Sequence, residues 1–106
     1  MEATSERLVK LQKMLEREPR DAFLLYAVGL EHRKLQQFDR ALEYLEKVTE
    51  VDPGYVVAYQ QRGQIYVHLR QLNEARQVYQ QGIAAAAAKG DRHAQAEMEG
   101  ELGMIG

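Results

Sequence analysis

The three histidines and the paired carboxylates offer the most chemistry in this chain. His32, His68 and His93 lie far apart, and none has a second histidine or a cysteine at the spacing that a metal site needs. Carboxylates such as Glu16 and Glu18 lie in a charged stretch without the apolar surroundings that suit general acid–base catalysis. No nucleophile stands beside a base. We therefore expect no metal, no cofactor and no enzyme activity.

Length, composition and charge narrow the class of protein further. The chain has 106 residues, of which 45% are hydrophobic, so it provides one domain with a single core. It contains no cysteine, which excludes a disulfide framework and a thiolate zinc site. Its formal net charge of −2 supplies no electrostatic footprint for a nucleic acid. The first eleven residues are charged every three or four positions, so we expect no signal peptide, no membrane span and a cytoplasmic location.

Acidic side chains are concentrated towards the C-terminus. Asp91, Glu97, Glu99 and Glu101 follow a stretch, residues 53–90, in which basic residues outnumber acidic ones. We expect these two segments to attract each other. The alternative is that both are solvated helical faces, since exposed ion pairs are typically worth only about 0–1 kcal/mol.

A pattern of small and apolar residues recurs every 34 positions. The stretch at 35–45 reads LQQFDRALEYL, and the stretch at 69–79 reads LRQLNEARQVY. The same period separates two prolines, two glycines and two alanines: Pro19 and Pro53, Gly29 and Gly63, Ala41 and Ala75. A period in this range is typical of a solenoid, in which each unit buries its apolar face by stacking on its neighbours.

The spacing of apolar residues within one repeat predicts a pair of helices. Residues on the first predicted stripe step by three or four positions, and after a break a second stripe does the same: Ala22, Leu25, Val28, His32 and Leu35, then Ala41, Leu45 and Val48. Because His32 falls on the apolar stripe, we expect a buried, hydrogen-bonded ring at this position and not a metal ligand.

Caps and glycines set the expected boundaries and contacts of each helix pair. Asp39 and Asn73 are predicted to cap the second helices, because their side-chain oxygens can accept hydrogen bonds from free backbone amides. A glycine in mid-helix costs about 1 kcal/mol relative to alanine. We therefore expect Gly29 and Gly63 to lie where the paired helix approaches closely, with the repeated alanine of that helix facing them. Beyond the second pair, Gly90 and then Asp91 predict a break followed by a capped final helix.

These residues resemble the tetratricopeptide repeat family, whose unit of 34 residues favours small residues at its eighth and twentieth positions and proline near its end. The resemblance covers residues 22–88. The positions that carry it are Gly29, Ala41 and Pro53 in the first repeat and Gly63 and Ala75 in the second.

The resemblance implies an all-α fold, a right-handed helical-repeat solenoid of about six helices. Two full helix pairs are expected at residues 22–55 and 56–89. An N-terminal half-repeat helix at 4–18 and a C-terminal capping helix at 91–103 would flank them. The whole chain, residues 1–106, would form a single domain.

The resemblance further implies a concave groove lined by the first helix of each pair. The residues expected there are Phe23, Tyr26, Leu30, Arg33, Val57, Gln60, Gln61, Gln64, Val67 and His68. The function that this groove implies is that of a non-catalytic adaptor, which binds a peptide or helix of a partner protein. The family's clamp for a terminal carboxylate uses lysine, asparagine and arginine, but Tyr26, Leu30 and Gln61 occupy such places here, so we disfavour that mode.

Three alternatives to an open peptide groove follow from the same residues. The terminal helices of the protein itself could cover the apolar part of the groove. The apolar surface or an end of the solenoid could instead join two copies in a weak homodimer, an assembly or scaffold module. Binding of single-stranded RNA, as in related repeats of 35 residues, is the least expected function, because the acidic balance and the period of 34 argue against it.

Overall fold

Helices account for all regular structure in the described residues of this chain. The computed structural model describes residues 4–106, and in this range it has six helices and no strand. They are α1 (Glu6–Arg17), α2 (Ala22–Lys34), α3 (Phe38–Val51), α4 (Val56–His68), α5 (Leu72–Lys89) and α6 (Arg92–Gly103). The number and class of elements confirm the sequence prediction. None of these described helices is long and apolar enough to cross a membrane.

The chain divides after Asp52 into two compact units. The N-terminal unit contains α1, α2 and α3, and the C-terminal unit contains α4, α5 and α6. Each unit therefore holds one predicted helix pair together with one predicted terminal helix.

The core of the N-terminal unit has α2 at its centre. Leu8 and Leu11 of α1 pack against Leu24, Ala27 and Val28 of α2. On α3, the three residues of the predicted stripe are fully buried: Ala41, Leu45 and Val48. The stripes read from the sequence are therefore the faces that the helices bury, as their spacing of three and four requires.

The core of the C-terminal unit has α5 at its centre. Val56 and Tyr59 of α4 lie in one cluster with Val78 and Tyr79 of α5, and Ala94 and Met98 bring α6 into the same cluster. A helix that carries apolar residues on both sides can hold two neighbours, which explains how α5 packs against α4 and α6.

The helices that begin after a tight reversal lack the side-chain caps predicted for them. Asp39 and Asn73 lie inside the first turns of α3 and α5, and neither helix has a side-chain cap. Gln36 and Arg70 adopt positive φ angles of 60° and 62°. A residue in the left-handed conformation reverses the chain direction within a short turn. The following helix therefore begins before the residue that was predicted to cap it. The prediction of Asp39 and Asn73 as caps was wrong, and Asn73 instead accepts a hydrogen bond from Arg76 at 2.9 Å.

Side-chain caps are present at the starts of α2 and α6. Asp91 Oδ1 accepts a hydrogen bond from the amide of Ala94 at 3.1 Å, directly after Gly90, whose φ of +74° ends α5. This confirms the break and the cap predicted at these two residues. Asp21 caps α2 in the same way, since it accepts from the amide of Leu24 at 3.0 Å.

In each helix pair, one glycine permits the two helices to approach closely. A Cβ atom added to Gly63 would lie 2.6 Å from ring atoms of Tyr79, and one added to Gly29 would lie 3.0 Å from Cγ of Leu45. Close approach is therefore confirmed. The nearest atoms belong to these large residues, which are themselves 34 positions apart. At Gly29 the carbonyl oxygen of the repeated Ala41 also lies 3.5 Å from the added Cβ, whereas Ala75 is not among the nearest atoms at Gly63.

Gly63→Ala should lower the free energy of unfolding by about 1–3 kcal/mol, because the buried Tyr79 ring has no space in which to give way. Urea unfolding followed by circular dichroism measures this change. Gly100→Ala in α6 is the matched control, since a Cβ there meets no atom within 4 Å. That control should raise stability by up to about 1 kcal/mol through helix propensity. Equal effects of the two changes would contradict the packing argument.

Candidate functional site

The predicted groove residues of the N-terminal unit lie on one face of α2. Phe23, Tyr26, Leu30 and Arg33 step by three, four and three positions, so they share a side of the helix. Phe23 is 66% exposed, and the other three are half-buried. The hydrophobic cluster through which α1 packs on α2 does not contain Phe23. In this unit the terminal helix therefore leaves the large aromatic residue open to solvent.

The predicted groove residues of the C-terminal unit lie along α4. Val57, Val67 and His68 are exposed, while the three glutamines are half-buried: Gln60, Gln61 and Gln64. The face is therefore polar at its centre, with an exposed valine near each end. Glutamine side chains can both donate and accept hydrogen bonds, so this face differs in chemistry from the apolar face of α2.

A carboxylate from α6 is held at the centre of the α4 face. Glu101 Oε2 accepts a hydrogen bond from Gln60 Nε2 at 2.6 Å. Its Oε1 accepts one from Gln64 Nε2 at 3.0 Å and one from the Tyr79 hydroxyl at 2.8 Å. Three donors from two helices thus converge on one carboxylate, an arrangement called the Glu101 network below.

The Glu101 network bears on two expectations from the sequence. The C-terminal helix does meet the predicted groove residues, but it does so at the polar centre of α4 and through a hydrogen-bonded carboxylate. The sequence predicts an attraction between the acidic C-terminal residues and the basic segment, but at Glu101 the hydrogen-bond donors are two neutral amides and a phenol. Formal charge alone could not indicate those donors.

A cavity of about 760 Å³ opens beside the Glu101 network. Its lining includes residues from α4, α5 and the end of the chain: Gln64, Val67, His68, Tyr79, Met104 and Ile105. A space of this size is in the range of small-ligand pockets. The network therefore lies at the wall of a recess and not on a flat surface.

A buried carboxylate in the N-terminal unit has a structural role that the sequence did not reveal. Glu31 is only 5% exposed, and its carboxylate accepts a hydrogen bond from Ser5 Oγ at 3.1 Å. Arg7 Nε lies 3.3 Å and Lys34 Nζ 3.5 Å from its Oε1. The contacts from Ser5 and Arg7 join α1 to α2, whereas Lys34 lies on α2 itself. One signal was present in the sequence, because Glu31 occupies the position that holds the buried Ile65 in the second repeat.

His32 is a buried ring that serves packing. Its Nδ1 lies 2.7 Å from Oε1 of Gln37, and the ring stacks on Tyr44 with a centroid distance of 5.4 Å. The expected buried, hydrogen-bonded histidine is confirmed. Among the residues that the structure describes, no group of three or more His, Cys, Asp or Glu side chains is placed to hold a metal ion.

Ser5→Ala should lower the free energy of unfolding by about 1–2 kcal/mol, because Ser5 both caps α1 and donates to Glu31. Thermal or urea unfolding of the full chain measures the loss. Thr4→Ala, at the exposed preceding residue, should change stability by less than about 0.5 kcal/mol. An effect of Ser5→Ala no larger than that of Thr4→Ala would show that this contact does not anchor α1.

Comparisons with known proteins identify relatives of this sequence and fold. A profile of the tetratricopeptide repeat (TPR) family matches residues 32–97. A TPR repeat-containing protein of Pseudomonas aeruginosa is 34% identical over 88 residues, which cover 83% of this chain and 84% of that protein. A TPR domain protein from Salinibacter ruber, solved by NMR, is 33% identical with a TM-score of 0.77, covering 82% of this chain and 88% of that one.

A likeness at lower identity extends to a solved complex. The TPR2B domain of yeast Sti1, whose structure is that of a complex with pHsp70, has a TM-score of 0.86. It is 19% identical to this chain, and the match covers 92% of this chain and 78% of the yeast chain. At this identity the likeness concerns the fold alone.

Proposed function

Because this chain belongs to the tetratricopeptide repeat family, whose fold commonly mediates protein–protein interaction, we propose that it is an adaptor for a partner protein. The exposed face of α2 in the N-terminal unit and the face of α4 in the C-terminal unit are each a candidate surface for the partner's peptide or helix. The adaptor is non-catalytic, in keeping with a family and fold that are typically non-enzymatic. We also propose a cytoplasmic location.

The exposure of Phe23 is the observation that carries this proposal. A phenylalanine that is 66% exposed gains free energy when a partner removes its ring from water. Tyr26 and Leu30 extend the same face, and they are only half-buried. A contiguous apolar patch on a small domain typically marks an interaction site, and aromatic residues dominate the energetics of such sites.

The nature of the α4 face supports a peptide or helix as the ligand. Val57 and Val67 offer exposed apolar contacts, and the half-buried Gln61 lies between them in the sequence. An extended backbone or the side chains of a helix both present groups that suit such a surface. The yeast Sti1 TPR2B domain in complex with pHsp70 is a precedent for a protein of this fold that is bound to another protein.

A substitution at the exposed ring tests the proposal directly. Phe23→Glu should reduce partner binding at least about tenfold, because a charge would meet the partner's apolar side chain and lose its hydration. The melting temperature should stay within a degree or two, since the new carboxylate remains solvated in the free protein. Val9→Glu is the matched control, an exposed apolar residue on α1 of the same unit.

The partner for this assay can be identified by photo-crosslinking in the host cell. A benzophenone side chain at position 23 should crosslink to one protein, and the same group at the exposed Glu43 of α3 should not. Binding of the purified partner is then measured for the parent chain, Phe23→Glu and Val9→Glu. Equal binding by all three would refute a binding role for the α2 face.

Self-association is the alternative that the same apolar face leaves open. Sedimentation equilibrium separates the two functions. A mass near 12.2 kDa at all concentrations excludes a stable homodimer. A mass that rises with concentration in the parent chain, and not in Phe23→Glu, would assign this face to contact between copies. Filter binding at low salt tests the RNA alternative, which the net charge of −2 disfavours.

A further inference from the structure

We propose that Gln60, Gln64 and Tyr79 form a carboxylate-binding site that α6 occupies through Glu101, and that a ligand carboxylate reaches this site by displacing Glu101. The ligand class is an acidic peptide segment. The inference deepens the proposed function and rests on it for the statement that the ligand is part of a partner protein. Its chemistry rests on the C-terminal unit alone.

The geometry of the donors defines the chemistry of the site. The two amide nitrogens and the phenol oxygen lie 2.6 to 3.0 Å from the carboxylate oxygens, so both oxygens are engaged. Carboxylates are acceptors only, and the groups that meet Glu101 are N–H and O–H donors. Another carboxylate placed where that of Glu101 lies would make the same bonds. The donors are positioned on two packed helices, and the Tyr79 ring is buried.

The donors of the site are uncharged, which favours a carboxylate of the same chain over a free one. Charge-assisted bonds from arginine or lysine would bind a free carboxylate tightly, whereas amides and a phenol bind it more weakly in competition with water. Glu101 has the advantage of high effective concentration, because it is part of the same chain. A ligand must therefore supply additional contacts to compete, and the neighbouring recess of about 760 Å³ offers room for them.

The turn of α6 that carries Glu101 has both packed and open residues around it. Ala94 and Met98 anchor the first two turns of the helix in the core of the unit. Around Glu101, however, Gly100 and Gly103 have no side chains and an added Cβ would meet no atom within 4 Å. Met104 is 88% exposed. Leu102 and Ile105, however, pack against the core of the unit. A ligand therefore displaces the Glu101 carboxylate by rotation of that side chain, while α6 itself stays packed.

Acetate is the probe that tests the site without knowledge of the partner. In Glu101→Ala, sodium acetate should produce saturable shifts of the side-chain amide resonances of Gln60 and Gln64. The midpoint should lie at least about tenfold below that of the parent chain, where the site is occupied in most molecules. Sodium chloride at equal ionic strength should not reproduce the shifts. Glu99→Ala is the matched control on the exposed face of α6 and should behave like the parent chain.

A second variant keeps the test decisive if Glu101→Ala disturbs α6. Glu101→Gln retains the side chain and one acceptor oxygen, but without the charge it binds the donors less strongly. Its acetate midpoint should lie between those of the parent chain and Glu101→Ala. Identical midpoints for parent, Glu101→Gln and Glu99→Ala, or shifts that chloride reproduces, would overturn the proposal.

The source of the ligand carboxylate is distinguished by two further probes on Glu101→Ala. N-acetylglycine presents the carboxylate of a chain terminus, and N-acetylglutamic acid α-amide presents that of a side chain. If one of the two probes binds more tightly than the other, the result supports a carboxylate site and assigns the source of the carboxylate. If neither probe binds, the proposal is overturned. These results do not depend on Phe23. If the carboxylate site is absent, Glu101→Ala does not bind acetate. If the adaptor function is wrong, Phe23→Glu binds the partner as well as the parent chain does.

Discussion

The structure depends on the contact between a helical glycine and a large side chain of the paired helix. An added Cβ at Gly63 would lie 2.6 Å from the ring of Tyr79, where there is no space for it, and one at Gly29 would make a tight contact of 3.0 Å with Leu45. Gly82 of α5 likewise contacts Met98 of α6, so a glycine also permits the close packing of the terminal helix. The absence of three methyl groups therefore sets how closely the helices pack, and dispersion contacts of the large side chains stabilise that packing.

The same contact links the core of the C-terminal unit to its surface. Because Gly63 admits the Tyr79 ring, the ring is fully buried while its hydroxyl reaches Glu101. In the N-terminal unit the corresponding residue is Leu45, which has no hydroxyl to offer. The two repeats therefore present different faces: an apolar one on α2 with an exposed phenylalanine, and an amide-rich one on α4 with a bound carboxylate.

Features that depend on helical periodicity could be predicted from the sequence, whereas features that depend on side-chain reach could not. The 34-residue period, the six helices, the break at Gly90 and the burial of His32 all follow from spacing, which fixes the face on which a residue lies. The caps at Asp39 and Asn73 were mispredicted because a left-handed residue shortens the preceding turn. The Glu101 network joins residues 22 to 41 positions apart, and no local pattern indicates which donor a flexible glutamate meets. The positions of the ten predicted groove residues relative to a bound partner stay a prediction.

Hydrogen–deuterium exchange of Tyr79→Phe tests most directly the claim that Tyr79 connects the core to the site. The substitution keeps the ring that packs on Gly63 and removes only the hydroxyl that donates to Glu101. The account predicts faster amide exchange in the last turn of α6, at residues 101–104, with exchange in α5 unchanged. Unchanged exchange in α6, or equally faster exchange throughout the C-terminal unit, would contradict it.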